Sequence, residues 1–122
     1  MWYALSANDE HTVALRSDNT LWTWGRNHEG QLGDGTAISR YNPTRVGLGT
    51  NWSSITAGQA FTIALKTDKT LWSWGRNDKG QLGNGDSDNR DIPTQVGLDS
   101  DWSTIEAGNF HSVAIKSDGT LW

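Results

Sequence analysis

LWTWGRNHEGQLGDG, residues 21–35, returns fifty positions later as LWSWGRNDKGQLGNG, residues 71–85. Seen once, the stretch could be a glycine-rich anion cradle or a sugar-stacking site. Seen twice at a fixed offset, it is a structural signature. A shift of 50 lays the chain on itself without a gap. Trp2, Trp52 and Trp102 align, as do Trp22, Trp72 and Trp122, and Trp24 falls on Trp74. NPTRVGL at 42–48 falls on IPTQVGL at 92–98, and 24 of 50 positions are identical between residues 2–51 and 52–101, far beyond coincidence. Residues 102–122, WSTIEAGNFHSVAIKSDGTLW, open a third copy. The chain is therefore read as one segment, 1–122, of two repeats and a partial third.

Each repeat carries strand signals. HTVALR, FTIALK and HSVAIK alternate around Val13/Leu15, Ile63/Leu65 and Val113/Ile115, the period of two that a pleated strand needs. A short polar turn (SDNT, TDKT, SDGT) leads into TLWTW or TLWSW, which predicts hairpins. WYALSA, WSSITA and WSTIEA predict a further strand, and TRVGL and TQVGL a fourth after Pro43 and Pro93. No stretch has sustained helical periodicity with caps. The fold class expected is all-β: four-stranded antiparallel propeller blades, about two and a half of them.

The pattern Trp-Gly-x-Asn-x-x-Gly-Gln-Leu-Gly-x-Gly, then Pro-x-x-Val, then Ala-Gly-x-x-His resembles the regulator of chromosome condensation repeat. It stands at Trp24–Gly35, Pro43–Val46, Trp74–Gly85, Pro93–Val96 and Ala107–His111. The chain departs from it at Asn8, where Gly58 and Gly108 stand in the later copies, and at Phe61, where His11 and His111 stand. The resemblance, of a bacterial-looking kind, implies blades in a closed ring of usually seven. Two and a half repeats are then a partial propeller, preferred as a fragment of a longer chain. Copies closing into a ring through open blade edges, or an open stack, are the other arrangements. The family includes a guanine-nucleotide exchange factor, a bacterial β-lactamase inhibitor and a plant ultraviolet photoreceptor. This chain does not display the exchange loops, and its tryptophans lie in a different context from the photoreceptor's chromophore, so no such role is carried over.

Composition narrows the function classes. Net charge is −4, with 10 basic and 14 acidic residues free of long runs, so nucleic acid is not an expected partner. No apolar window approaches a membrane span, and no membrane partner is expected. There is no cysteine, which removes thiol chemistry and disulfides but fixes no compartment.

The spacing of GRNHEGQLGDG does not fit a phosphate loop; its glycines suit tight turns and close backbone approach. Asn27 and Gln31 are expected to satisfy backbone groups stranded there, and Arg26 and Arg76 to bridge blades. The tryptophans are expected to pack between sheets, with sugar stacking as the alternative if Trp2, Trp52 and Trp102 line an exposed rim. His11 and His111 are expected to be inert, hydrogen-bonded side chains. Asp86–Asp91 resembles the start of a calcium loop but lacks its sixth-position glycine and distal glutamate. No catalytic constellation, cofactor or metal is expected. The function expected is a non-catalytic scaffold presenting variable loops to a protein partner. The alternatives are a carbohydrate or small-ligand binding segment and an accessory part of a larger secreted bacterial enzyme. Candidate partner-binding residues are aromatic and charged residues of the loops where the copies differ: His28, Glu29, Arg40, Tyr41, Asp78, Lys79, Arg90, Asp91 and Phe110.

Overall fold

The computed structural model describes residues 1–122. Ten strands form three sheets. Blade 1 is a four-stranded antiparallel meander of β1 (Trp2–Asn8), β2 (His11–Arg16), β3 (Leu21–Gly25) and β4 (Arg40–Arg45). Blade 2 repeats it with β5 (Trp52–Gly58), β6 (Phe61–Lys66), β7 (Leu71–Gly75) and β8 (Arg90–Gln95). Blade 3 holds β9 (Trp102–Ala107) and β10 (Ser112–Lys116), and Leu121 begins a further pairing with Ile115.

The fourth strand of each blade lies earlier than TRVGL and TQVGL suggest, running from Arg40 and Arg90 through the prolines. Pro43 and Pro93 fit inside it because this strand is the outer edge, where a missing N–H interrupts no ladder. Gly47 and Gly97, both at φ 65°, turn the chain away before Leu48 and Leu98.

The core lies between blades. One cluster joins Val13, Leu15 and Leu21 of blade 1 to Trp52, Ala64 and Trp74 of blade 2. A second joins Phe61, Ile63, Leu65, Leu71 and Leu82 to Trp102, Ile105 and Ala114. Blade 2 is therefore covered on both faces, and β6 is buried from Phe61 to Leu65 despite its alternating sequence.

The opening glycines are fitted to this stacking. A Cβ on Gly33 would meet the Trp74 indole nitrogen at 2.6 Å, and Gly33 sits at φ +74°. A Cβ on Gly30 would press on Asp91 and Arg90 of blade 2, while the matching Gly80 faces open space. Glycine here lets a loop lie flat against the next blade. The space beside blade 3 that corresponds to the seat of Trp74 is a groove of about 420 Å³ lined by Leu82, Gly83, Val96, Phe110 and His111.

Candidate functional site

The antiparallel meander places all β1–β2 turns and β3–β4 loops on one rim. That rim carries residues 9–10 and 26–39 of blade 1, 59–60 and 76–89 of blade 2, and 108–111 of blade 3. Its loops are built around a buried asparagine. Asn27 Nδ2 donates to the Thr36 and Ile38 carbonyls at 2.9 and 3.1 Å, and its Oδ1 accepts from the Leu32 amide at 3.0 Å. Asn77 makes the same bonds with Asp86, Asp88 and Leu82. Gln31 and Gln81 cap the loop starts by accepting from the Glu29 and Lys79 amides. These backbone groups would otherwise be stranded in an irregular segment.

The loop then locks onto the next blade. Thr62 Oγ1 donates to the Gln31 carbonyl at 2.9 Å, and Ser112 Oγ does the same to Gln81 at 2.7 Å. Having spent its proton on Gln31, Thr62 must accept from His11 Nε2, 3.0 Å away. The Nε2–H tautomer is thus fixed, and Nδ1 is buried without a partner. Burial pushes the His11 pKa down to about 4, outweighing the nearby Glu10 charge that raises it. His11 is a neutral inter-blade strut.

A depressed histidine pKa has a defined pH signature. The unfolded chain gains a proton near pH 6.5 that the folded chain refuses until about pH 4. Stability is therefore lost as pH falls through that window, by up to about 3 kcal/mol. The second repeat supplies a control, because the Phe61 ring lies where a Cβ on residue 58 would be. Asn8→Gly combined with His11→Phe reproduces that arrangement. Urea midpoints measured from pH 7 to pH 4.5 should fall in the parent and stay nearly flat in the double variant.

Two carboxylates on the rim, Asp34 and Asp86, are committed to the loops. Asp34 accepts from Thr36 and Asn27 and holds Arg40 Nε at 3.0 Å. Burial raises its pKa, but these bonds outweigh it and hold the acid below its ordinary value. In blade 2 the acid moves two positions, to Asp86, and still holds Arg90, at 2.6 Å. The carboxylate of the calcium-like stretch is thus a loop staple, also engaged by the Asp88 amide.

Of the candidate partner-binding residues, His28, Asp78, Lys79 and Phe110 stand exposed on this rim. Glu29 is partly covered and faces Arg26 at 3.7 Å. Arg40 and Arg90 are turned inward as staples. Asp91 gives its carbonyl to Gly35 of blade 1 at 2.8 Å, and Asp91 and Tyr41 are both exposed. Arg76 reaches across to Phe110, 5.9 Å from its ring, so it does bridge blades. Arg26 instead pairs within blade 1, with Glu10 at 2.8 Å.

The tryptophans form a second repeated device. Trp2 with Trp22, Trp52 with Trp72 and Trp102 with Trp122 meet edge to face near 6 Å. Arg16, Lys66 and Lys116 lie over these pairs. Trp52 and Trp102 are 4% and 7% exposed, and Trp2 is 51% exposed. The buried rings have no face free for a sugar.

The family model of the Regulator of chromosome condensation (RCC1) repeat matches residues 18–65 and 68–115, and a second model of the same repeat matches 2–31 and 52–81. The chain belongs to the RCC1 repeat family. Among curated proteins, the ultraviolet-B receptor UVR8 of Arabidopsis thaliana is 45% identical over 42 residues, which is 34% of this chain and 10% of the receptor. Yeast RCC1 (Prp20), solved bound to Kap60, superposes on 98% of the chain with a TM-score of 0.82 at 27% identity. Prp20p of Saccharomyces cerevisiae, described with its binding properties to Gsp1p and histones, gives 0.81 at 28%. Human WBSCR16 shares the fold, at 0.85 and 22% identity over 98% of the chain. This RCC1 segment spans about a third of each of those solved chains.

Sequence reasoning missed two features of the site. The base closing each second strand, Arg16, Lys66 or Lys116, recurs at the 50-residue period and was visible there. Leu48 and Leu98 also agree between copies, yet both are almost fully exposed, on the opposite rim. Agreement between repeats ordinarily marks packing; at these two positions it does not.

Proposed function

We propose that this RCC1 segment is a non-catalytic scaffold that presents the loop rim to a protein partner. The observation that carries the reading is the division of labour in the loops. Asn27, Gln31, Gly33 and their counterparts are consumed by the fold, while the residues that differ between copies, His28/Asp78 and Glu29/Lys79, ride on the rigid frame they make. Side chains on loops held by a scaffold are well placed for recognition. The solved yeast relative is bound to a protein, Kap60, which supports a protein as the class of partner.

Recognition would rest on Phe110 as the apolar anchor and on the charge difference between His28-Glu29 and Asp78-Lys79. In a capture experiment with the chain as bait, Phe110→Ser with Lys79→Glu should remove the specifically bound protein, whereas Leu48→Ser with Leu98→Ser on the opposite rim should leave it. Loss with the leucine pair alone would place binding on the other rim and reject this reading.

A further inference from the structure

A cleft of about 400 Å³ lies between blades 1 and 2, where the β4–β5 connection passes, and two of its lining residues are Arg45 and Lys66. Neither base has a carboxylate within 4 Å. Lys66 Nζ stands 3.8 and 4.9 Å from the ring centroids of Trp72 and Trp52. Arg45 gives one terminal N–H to the Leu48 carbonyl at 3.0 Å, and its buried Nε–H has no partner. The one acid in the lining, Asp34, is taken by Arg40.

The next repeat shows what a balanced version looks like. Lys116 lies between Trp102 and Trp122 as Lys66 lies between Trp52 and Trp72. It is held by Asp99 at 2.5 Å and faces Asp101 at 3.6 Å. Fifty residues earlier those two acids are Gly49 and Asn51, and where blade 2 has Gln95, blade 1 has Arg45. The same position has thus lost two negative charges and gained a positive one. With Asp34 counted, the Lys66 cleft carries a formal +1, whereas the counterpart positions Asn84, Gln95, Asp99, Asp101 and Lys116 carry −1.

We propose that the Arg45–Lys66 cleft is a binding site for a small organic anion bearing carboxylates. Arg45 offers the planar fork that matches a carboxylate, and Lys66 a point charge. Trp52, Trp72, Ile92 and Pro93 give walls that reward a carbon skeleton over a bare inorganic ion. The volume suits a small molecule. The overall charge of −4 disfavours a long polyanion. The site uses none of the loop-rim residues and stands or falls independently of the partner reading.

The test is a titration of the intact chain at low ionic strength with citrate, with inorganic phosphate and with chloride, followed by tryptophan fluorescence. Citrate should give a saturable change and chloride none. Arg45→Gln and Asn51→Asp install residues that the second repeat already carries at 95 and 101, so both variants should melt like the parent. Each should weaken citrate binding at least about tenfold, the equivalent of about 1.4 kcal/mol for one charge-assisted contact. No saturable citrate response, or citrate binding unchanged in both variants, would overturn the site. Phosphate binding as tightly as citrate would overturn its assignment to an organic acid.

Discussion

Trp74→Ala is expected to destabilise the chain by about 3–5 kcal/mol, whereas Trp24→Ala, at the same place in the motif, should cost much less. Trp74 is completely buried, packed in the cluster that joins blades 1 and 2 and seated on Gly33. Trp24 has no loop from a preceding blade against it and is only partly covered, with Trp2 as its aromatic neighbour. Local strand propensity is the same at both sites, so the difference isolates what blade stacking contributes. Urea unfolding of the two variants measures it. Gly33→Ala should approach the Trp74 loss, because its methyl needs both a displaced indole and a strained positive φ. Gly83→Ala shares only the strain, since its Cβ would meet nothing closer than Val96 at 3.8 Å.

Asn27→Ala is expected to be the second costly change, at about 3 kcal/mol or more. It removes the donor bonds to the Thr36 and Ile38 carbonyls and to Asp34, and the only acceptor of the Leu32 amide, in a residue with no solvent exposure. An orphaned buried N–H alone costs about 1–3 kcal/mol, and losing a whole network costs more than its average bond. The loop it frees is the one that carries Gln31 to Thr62 and Gly35 to Asp91, so blade contact is lost as well. Asn77→Ala breaks the same internal bonds, but its loop meets blade 3 through the Gln81–Ser112 bond and has no counterpart of the Gly35–Asp91 contact. It should cost less. Denaturation midpoints, with amide exchange of Leu32 and Leu82, separate the two losses.

Much of the fold was legible because the repeat itself is a physical statement. A residue that recurs at Trp24/Trp74, Gly33/Gly83 or Asn27/Asn77 meets the same demand twice, and that demand is packing. The four-strand blade followed from period-two segments and polar turns. The fourth strand was displaced because Pro43 reads as a boundary until the strand is known to be an edge. The site was less legible for a different reason. Arg40 and Arg90 look like free surface charge, since the acids that hold them, Asp34 and Asp86, do not align. The carboxylate has moved two positions while the geometry of the pair persists, and only distances reveal that. Lys66 and Lys116 look equivalent in sequence and differ in charge environment through three positions on other strands and turns, 45/95, 49/99 and 51/101. Trp24 and Trp74 also align, yet one is partly covered and the other is completely buried against the loop of blade 1. A position's place in the stack, which no single repeat encodes, decides its exposure.

The central claim is that the shared residues build the frame and the differing loop residues carry recognition. Exchanging residues 28–42 with 78–92 tests it most directly. The exchange carries His28-Glu29 and Asp78-Lys79 with the variable loops, and each arginine travels with its own acid, Asp34 with Arg40 and Asp86 with Arg90. With the frame intact, thermal unfolding should stay cooperative and within about 1 kcal/mol of the parent, while the proteins captured by the chain change. An unchanged set of captured proteins from a chimera that melts like the parent would contradict the account.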